Sequence, residues 1–139
     1  MTLPREVFLS HASPDRPLAG RIGGILQHHG ISTWFAPTDI VGARQWQDEI
    51  GRALRRCDWF LILLSPASVA SMWVRRELQY ALNQARYHER IIPILAEPCD
   101  VESLSWVLSS IQQIDCFHQS EEAACEEILR VWGIDFQKR

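Results

Sequence analysis

Apolar and polar positions recur along the chain with two different periods, and the points where the period changes mark the elements. Glu6-Val-Phe-Leu-Ser10 is a short apolar run closed by a polar turn, which predicts a strand, and Leu18, Ile22, Ile25 and Leu26 then recur at helical spacing as far as Gly30. Ile31-Ser-Thr-Trp-Phe35 alternates and is β-branched and aromatic, the pattern of a second strand. Pro37 and Gly42 break regularity in the loop from Ala36 to Arg44. Beyond it Trp46, Ile50, Ala53, Leu54 and Cys57 form a second amphipathic stripe, on whose buried side Trp46 reads as a core residue. Trp59 to Leu64 is apolar at every position, as a central strand covered on both faces must be.

Ser71 can cap the next helix, whose apolar stripe is Val74, Leu78, Ala81, Leu82 and Ala85, with Trp73, Glu77, Tyr80 and Gln84 on an adjacent face. Arg90-Ile-Ile-Pro-Ile-Leu95 is a fourth strand, and Pro93, lacking a ladder donor, argues for a place near an edge or at a bulge. Between Ala96 and Ser110 the pattern is weakest, with one short helix suggested by Leu104, Trp106, Val107 and Leu108. Ile111 to Phe117 predicts a fifth strand, and Glu121 to Trp132 a last helix with Ala124, Ile128 and Val131 facing inward. Strands alternating with helices imply an α/β fold of the flavodoxin-like, three-layer kind: a five-stranded parallel sheet in the order 2-1-3-4-5 with helices on both faces.

Composition narrows the function classes. With 139 residues, 47% of them apolar, the chain is long enough for one domain with its own core. A net charge of −3 gives no electrostatic reason to expect a nucleic acid or a membrane surface as partner, and no stretch approaches the ~18 apolar residues of a membrane span. Arg55-Arg56 and Arg75-Arg76 read as solvated helix faces rather than a phosphate channel. Cys57, Cys99, Cys116 and Cys125 show no metal-binding spacing, so no metal is expected, and as reduced thiols they suggest a cytoplasmic setting. His28-His29 before Gly30 suits a helix C-terminus, where a cation is favoured by the dipole.

The candidate chemistry lies in Trp73-Val-Arg-Arg-Glu77, which enters a helix soon after the Trp59–Leu64 strand. It sets a lone carboxylate one helical turn from an indole, just beyond the carboxyl end of a buried strand, where open α/β sheets bind ligands. Ser10, His11, Ala12 and Ser13 fall at the same edge, where the first strand ends. A phosphorylated receiver would need an acidic pair after strand one and an aspartate ending strand three. This chain has Ser10-His11 and Ser65 instead. Neither glycine-rich nucleotide fingerprint follows the first strand, and Ser65 and Ser68 lack a histidine at recognisable spacing for a serine triad.

Taken in order, Val7-Phe-Leu-Ser-His-Ala-Ser13 with Asp15, Trp34-Phe-Ala-Pro-Thr-Asp-Ile40 with Gly42 and Trp46, and Leu64-Ser-Pro-Ala-Ser68 with Ser71-Met-Trp73 and Glu77-Leu78 resemble the successive boxes of a TIR domain. The resemblance covers nearly the whole chain, as a single domain over residues 1–139, and is nearest in kind to the bacterial NAD-cleaving type. It implies that Ala36 to Arg44 is the BB loop, a self-association element in which Pro37, Ile40, Val41, Gly42 and Arg44 would meet another copy. It implies two functions: a scaffold that only binds other TIR domains, or an enzyme that cleaves the nicotinamide bond of NAD, as many bacterial and plant members and one animal axonal type do. The glutamate at Glu77 and the tryptophan four residues before it match the NAD-cleaving members.

On that reading NAD is a substrate and not a cofactor, Glu77 is catalytic, and Trp73 stacks on a flat ring of the substrate. Ser10, His11, Ala12, Ser13 and Asp39 would contact the nucleotide. Each has a plainer alternative: Glu77 a solvated residue favoured by the helix dipole, Trp73 a plug beneath the loop ending at Ser71, His11 a turn residue, Asp39 bonding its own backbone. The NAD-cleaving members often carry basic residues where Ala12 and Ser13 stand, so contacts to the diphosphate have no obvious donor here. Unrestrained NAD cleavage is toxic, so the expectation is an amino-terminal effector domain of a longer protein, or the partner of a sensor, acting in antiviral or immune defence through filament-like assembly.

Overall fold

The computed structural model describes residues 3–35 and 43–138, except for the side chains of residues 43–46. Five parallel strands form one sheet in the order β2-β1-β3-β4-β5: β1 Val7–Ser10, β2 Thr33–Trp34, β3 Trp59–Leu64, β4 Ile91–Leu95 and β5 Ile114–Asp115. Around it lie α1 Arg16–His28, α2 Ala43–Arg56, α3 Pro66–Val69, α4 Met72–Leu82, α5 Val101–Leu104 and α6 Glu121–Val131. The flavodoxin-like order expected from the alternation is the one observed.

Alternate residues of each strand feed two separate cores, as the pleat requires. Val7, Leu9, Leu61, Leu63 and Ile94 pack under α1 and α6 with Ile22, Leu26, Ile128 and Trp132. Phe8, Phe60, Ile62 and Leu64 pack under α2 and α4 with Ile50, Leu54, Val74 and Leu78. The six residues of β3 are all buried, which fits its place at the centre of the sheet.

Pro93 is accommodated as its missing donor demands. Ala96 donates to the Leu64 carbonyl while the Leu95 carbonyl accepts from Cys116, so the alternation turns the Pro93 nitrogen toward β5. Pairing with β5 begins only at Ile94, one residue later, and no ladder bond is lost. At the end of α1, His29 stands at the C-cap with Nδ1 2.8 Å from the Ile25 carbonyl, the capping role that its position suggests. Gly30 follows with φ +83°, which a side chain would resist.

Several expectations need correction. The edge strands β2 and β5 are two residues long rather than spanning 31–35 and 111–117, because each has a neighbour on one side only. The expected helix over Leu104 to Leu108 is two turns, α5 and a 3₁₀ turn Trp106–Ser110, divided at Ser105, whose extended backbone and side chain cap the second turn. The stripe of α4 stops at Leu82, and Ala85 is exposed in a 3₁₀ turn Ala85–Tyr87. Arg75 is no solvated residue: its guanidinium donates to the carbonyls of Ser103, Leu104 and Val69 and binds the segment around α5 to α4. Trp46 and the loop expected to self-associate, with Asp39, Pro37, Ile40, Val41 and Gly42, lie outside the described residues or side chains, and Arg44 is placed only as part of α2.

The short helix α3 has no counterpart in the apolar pattern and is held by polar groups. Ser65 caps it, accepting from the Ser68 amide at 3.1 Å, while the Ser68 hydroxyl accepts from the Ser65 amide at 2.9 Å. The Ser65 hydroxyl also donates to Asp15 Oδ2 at 2.5 Å, joining the carboxyl end of β3 to the 3₁₀ turn Ser13–Asp15 beyond β1. Ser65→Ala removes the cap and strips a buried carboxylate of this donor, so it is expected to cost about 2–3 kcal/mol and lower the melting temperature by several degrees in a thermal scan.

Candidate functional site

The strands are apolar along their length, so buried polar side chains collect where they end. Ser10 closes β1 and is 1% exposed. Glu77 lies in the first half of α4, two positions beyond the opening turn, and is 7% exposed. Sixty-seven residues apart in sequence, the two meet: the Ser10 hydroxyl donates to Glu77 Oε1 at 2.7 Å.

Val74 and Leu78 explain the burial of Glu77. Position 77 is three residues after one and beside the other, on the border of the stripe that α4 packs against the sheet. Glu77 therefore sits on the inward face of the helix and not on a solvated one. Withdrawal from water pushes its carboxyl group up to about 7, against the smaller opposing influence of the Ser10 hydroxyl. Oε1 is engaged by Ser10, and among the described residues Oε2 has no hydrogen-bond partner.

Trp73, one turn earlier on the helix, is 37% exposed with the Arg76 guanidinium 5.4 Å from its ring centre. That exposure is more than a plug buried beneath a loop would keep. His11 is half-buried, its ring edge-on to Phe35 at 6.1 Å and its Nδ1 3.5 Å from the Leu9 carbonyl. Burial is the main cause that holds its pKa below the usual histidine range. Ala12 is buried and Ser13 exposed.

The structure thus brings Glu77, Ser10 and His11 to one edge of the sheet, with Trp73 at the start of the helix that carries Glu77. The Ser10 hydroxyl, which the sequence suggests for the substrate, is committed to Glu77. Asp15 and Ser65, beside this cluster, take up each other and carry no ligand assignment from the sequence. A groove of about 870 Å³ opens at the opposite end of α4 between Ala81, Tyr87, Ile91 and Ile111, and none of the candidate residues lines it. Among the described residues no group of three His, Cys, Asp or Glu side chains could hold a metal ion, and no helix is long and apolar enough to cross a membrane.

This sheet order, with polar residues gathered at its carboxyl edge, defines a flavodoxin-like domain. The chain belongs to the TIR domain family, whose model matches residues 7–129. Among solved structures it is similar to the TIR domain of the Toll-related receptor TRR-2 from Hydra magnipapillata, with a TM-score of 0.72 and 22% identity over 90% of this chain and 95% of that one. It is also similar to the TIR domains of the activated Roq1 resistosome, with a TM-score of 0.70 and 17% identity over 91% and 98%. No curated protein matches it in sequence.

The proton on Glu77 makes stability depend on pH. An unfolded glutamate releases its proton near 4.5, whereas the folded one holds it to about 7. Between those values the folded state binds more protons, so stability falls as pH rises through the window and is level above it. Glu77→Gln is free of this loss. In denaturant titrations the variant is expected to match wild type near pH 4.5 and to exceed it at pH 8 by on the order of 3 kcal/mol, at about 1.36 kcal/mol per pH unit.

Proposed function

We propose that this TIR domain is an NAD+ glycohydrolase or cyclase, cleaving the bond between nicotinamide and ribose with Glu77 as its catalytic residue. The observation that carries the reading is the carboxylate itself: buried, bound by one hydroxyl and, among the described residues, with one oxygen unbound and no cationic partner. Such a group is uncomfortable when charged, and a positive charge arriving at its free oxygen relieves that.

The chemistry asks for that and little more. As the glycosidic bond of NAD+ breaks, its electron pair passes to the pyridinium nitrogen and nicotinamide leaves neutral, so no general acid is needed, unlike the oxygen leaving groups of ordinary glycosidases. The ribose ring becomes cationic. Glu77 accepts from the ribose hydroxyls and stabilises that charge, while Trp73 stacks on a flat ring of the substrate or shields the site from water. Water then bonds to the anomeric carbon and loses a proton, giving ADP-ribose. Capture by a nucleophile of the same molecule gives a cyclic isomer.

The setting we propose is an immune effector, joined or partnered to a sensor. The likeness to the TIR domains of a resistosome that recognises a pathogen effector accords with it. Incubation of concentrated protein with NAD+ is expected to release nicotinamide, measured by chromatography, with turnover rising from pH 5.5 through about 7 to a plateau as Glu77 ionises. Glu77→Gln should lower turnover by on the order of a hundredfold or more with the fold intact. No release above background from wild-type protein would leave the scaffold that only binds other TIR domains.

Self-association belongs to the same proposal. The loop 36–44 would dock on a neighbouring copy head to tail and complete its site, a heterologous contact that builds open strands. Nicotinamide release per mole of protein is then expected to rise across a dilution series, in step with light scattering, and Ile40→Asp to abolish the rise. A specific activity that stays flat would leave a self-sufficient monomer.

A further inference from the structure

Resting on that reading, we propose that Ser10 is a positioning residue that acts through Glu77: its hydroxyl binds Oε1, favours the carboxylate over the acid, and turns Oε2 toward the ligand. Three observations support this. The bond is short, at 2.7 Å, and both residues are buried, so water cannot readily replace the hydroxyl. A hydroxyl facing an ionised carboxylate can only donate, and it favours the charged form that burial opposes. Ser10 ends β1 and pairs in register with Ile62 of the central strand β3, which anchors its backbone as a post from which to aim a helix side chain.

Other charges near Glu77 do not take over this task. His11 and Asp15 stand beyond β1, with Asp15 bound to Ser65. On α4 itself Arg75 is engaged by three carbonyls, Arg76 lies over Trp73, and Tyr80 accepts from Arg86. On α2, Asp48, Glu49, Arg52, Arg55 and Arg56 are exposed, and α3 has no ionisable residue. Among the described residues, burial raises the pKa of Glu77 and the Ser10 hydroxyl opposes it.

The test follows the Glu77 carboxyl carbon by NMR across a pH titration, beside the pH profile of nicotinamide release, in wild type, Ser10→Ala and Ser10→Cys. In Ser10→Ala both the titration midpoint and the acid limb of turnover are expected to move up together by about one pH unit, which makes the loss of turnover at pH 6 about tenfold deeper than at pH 9, where the loss reads the lost aiming of Oε2 alone. Cysteine, close in size but a weak donor, should fall between the two. An unmoved midpoint in both folded variants overturns the proposal, whatever the activity. A midpoint that moves in a protein releasing no nicotinamide upholds the Ser10 bond and rejects the glycohydrolase reading instead.

Discussion

A strand buried on both faces has no place along its length for a polar side chain, and β3 is such a strand for all six of its residues. That constraint shapes the rest of the molecule. Polar groups that must be inside are displaced to where the strands end and helices begin, where backbone amides and hydroxyls can partner them. Among the described residues the buried polar side chains are Ser10, Asp15, Thr33, Ser65, Ser68 and Glu77, and all but Thr33 gather just beyond β1 or β3. Because the strands are parallel, those ends share one edge.

The two carboxylates at this edge are treated differently. Asp15 receives the Ser65 hydroxyl, whose amide and oxygen also complete the cap of α3, so its bond ties two segments of backbone. Glu77 receives one hydroxyl from a rigid strand and is otherwise left to its burial. The first arrangement serves the fold. The second joins β1 to α4 through a single bond and still lowers the stability of the ionised protein, which is the pattern expected where a group is kept for chemistry rather than for folding.

Much of this was legible in the sequence, and what was not has identifiable causes. Strands and helices with a packed face wrote their period plainly, as in Trp59–Leu64 and the stripe of Val74, Leu78 and Ala81. The edge strands β2 and β5 could not be sized, since apolar residues continue beyond the few that find a pairing neighbour. Helix α3 and the break at Ser105 depend on serine side chains bonding local backbone, which leaves no mark in an apolar pattern. Glu77 stood out as the lone carboxylate near an indole, but its burial needed the observation that position 77 borders the stripe. Its partner Ser10 lies sixty-seven residues away, and no local spacing reports a contact made by the sheet. Arg75 looked solvated because it adjoins Arg76, whereas three carbonyls claim it.

Burial of Glu77 also fixes how any positively charged group at this edge must behave. Such a group interacts with the ionised carboxylate and not with the neutral acid, so it binds the deprotonated protein more tightly. By linkage the same preference works in reverse, and the bound cation draws the proton from Glu77, lowering a pKa that burial had raised. The carboxyl group then rests nearly half protonated close to neutral pH and becomes fully charged when positive charge develops beside it. On the proposed glycohydrolase reading, that coupling reserves the largest interaction of the site for the moment when the positive charge appears.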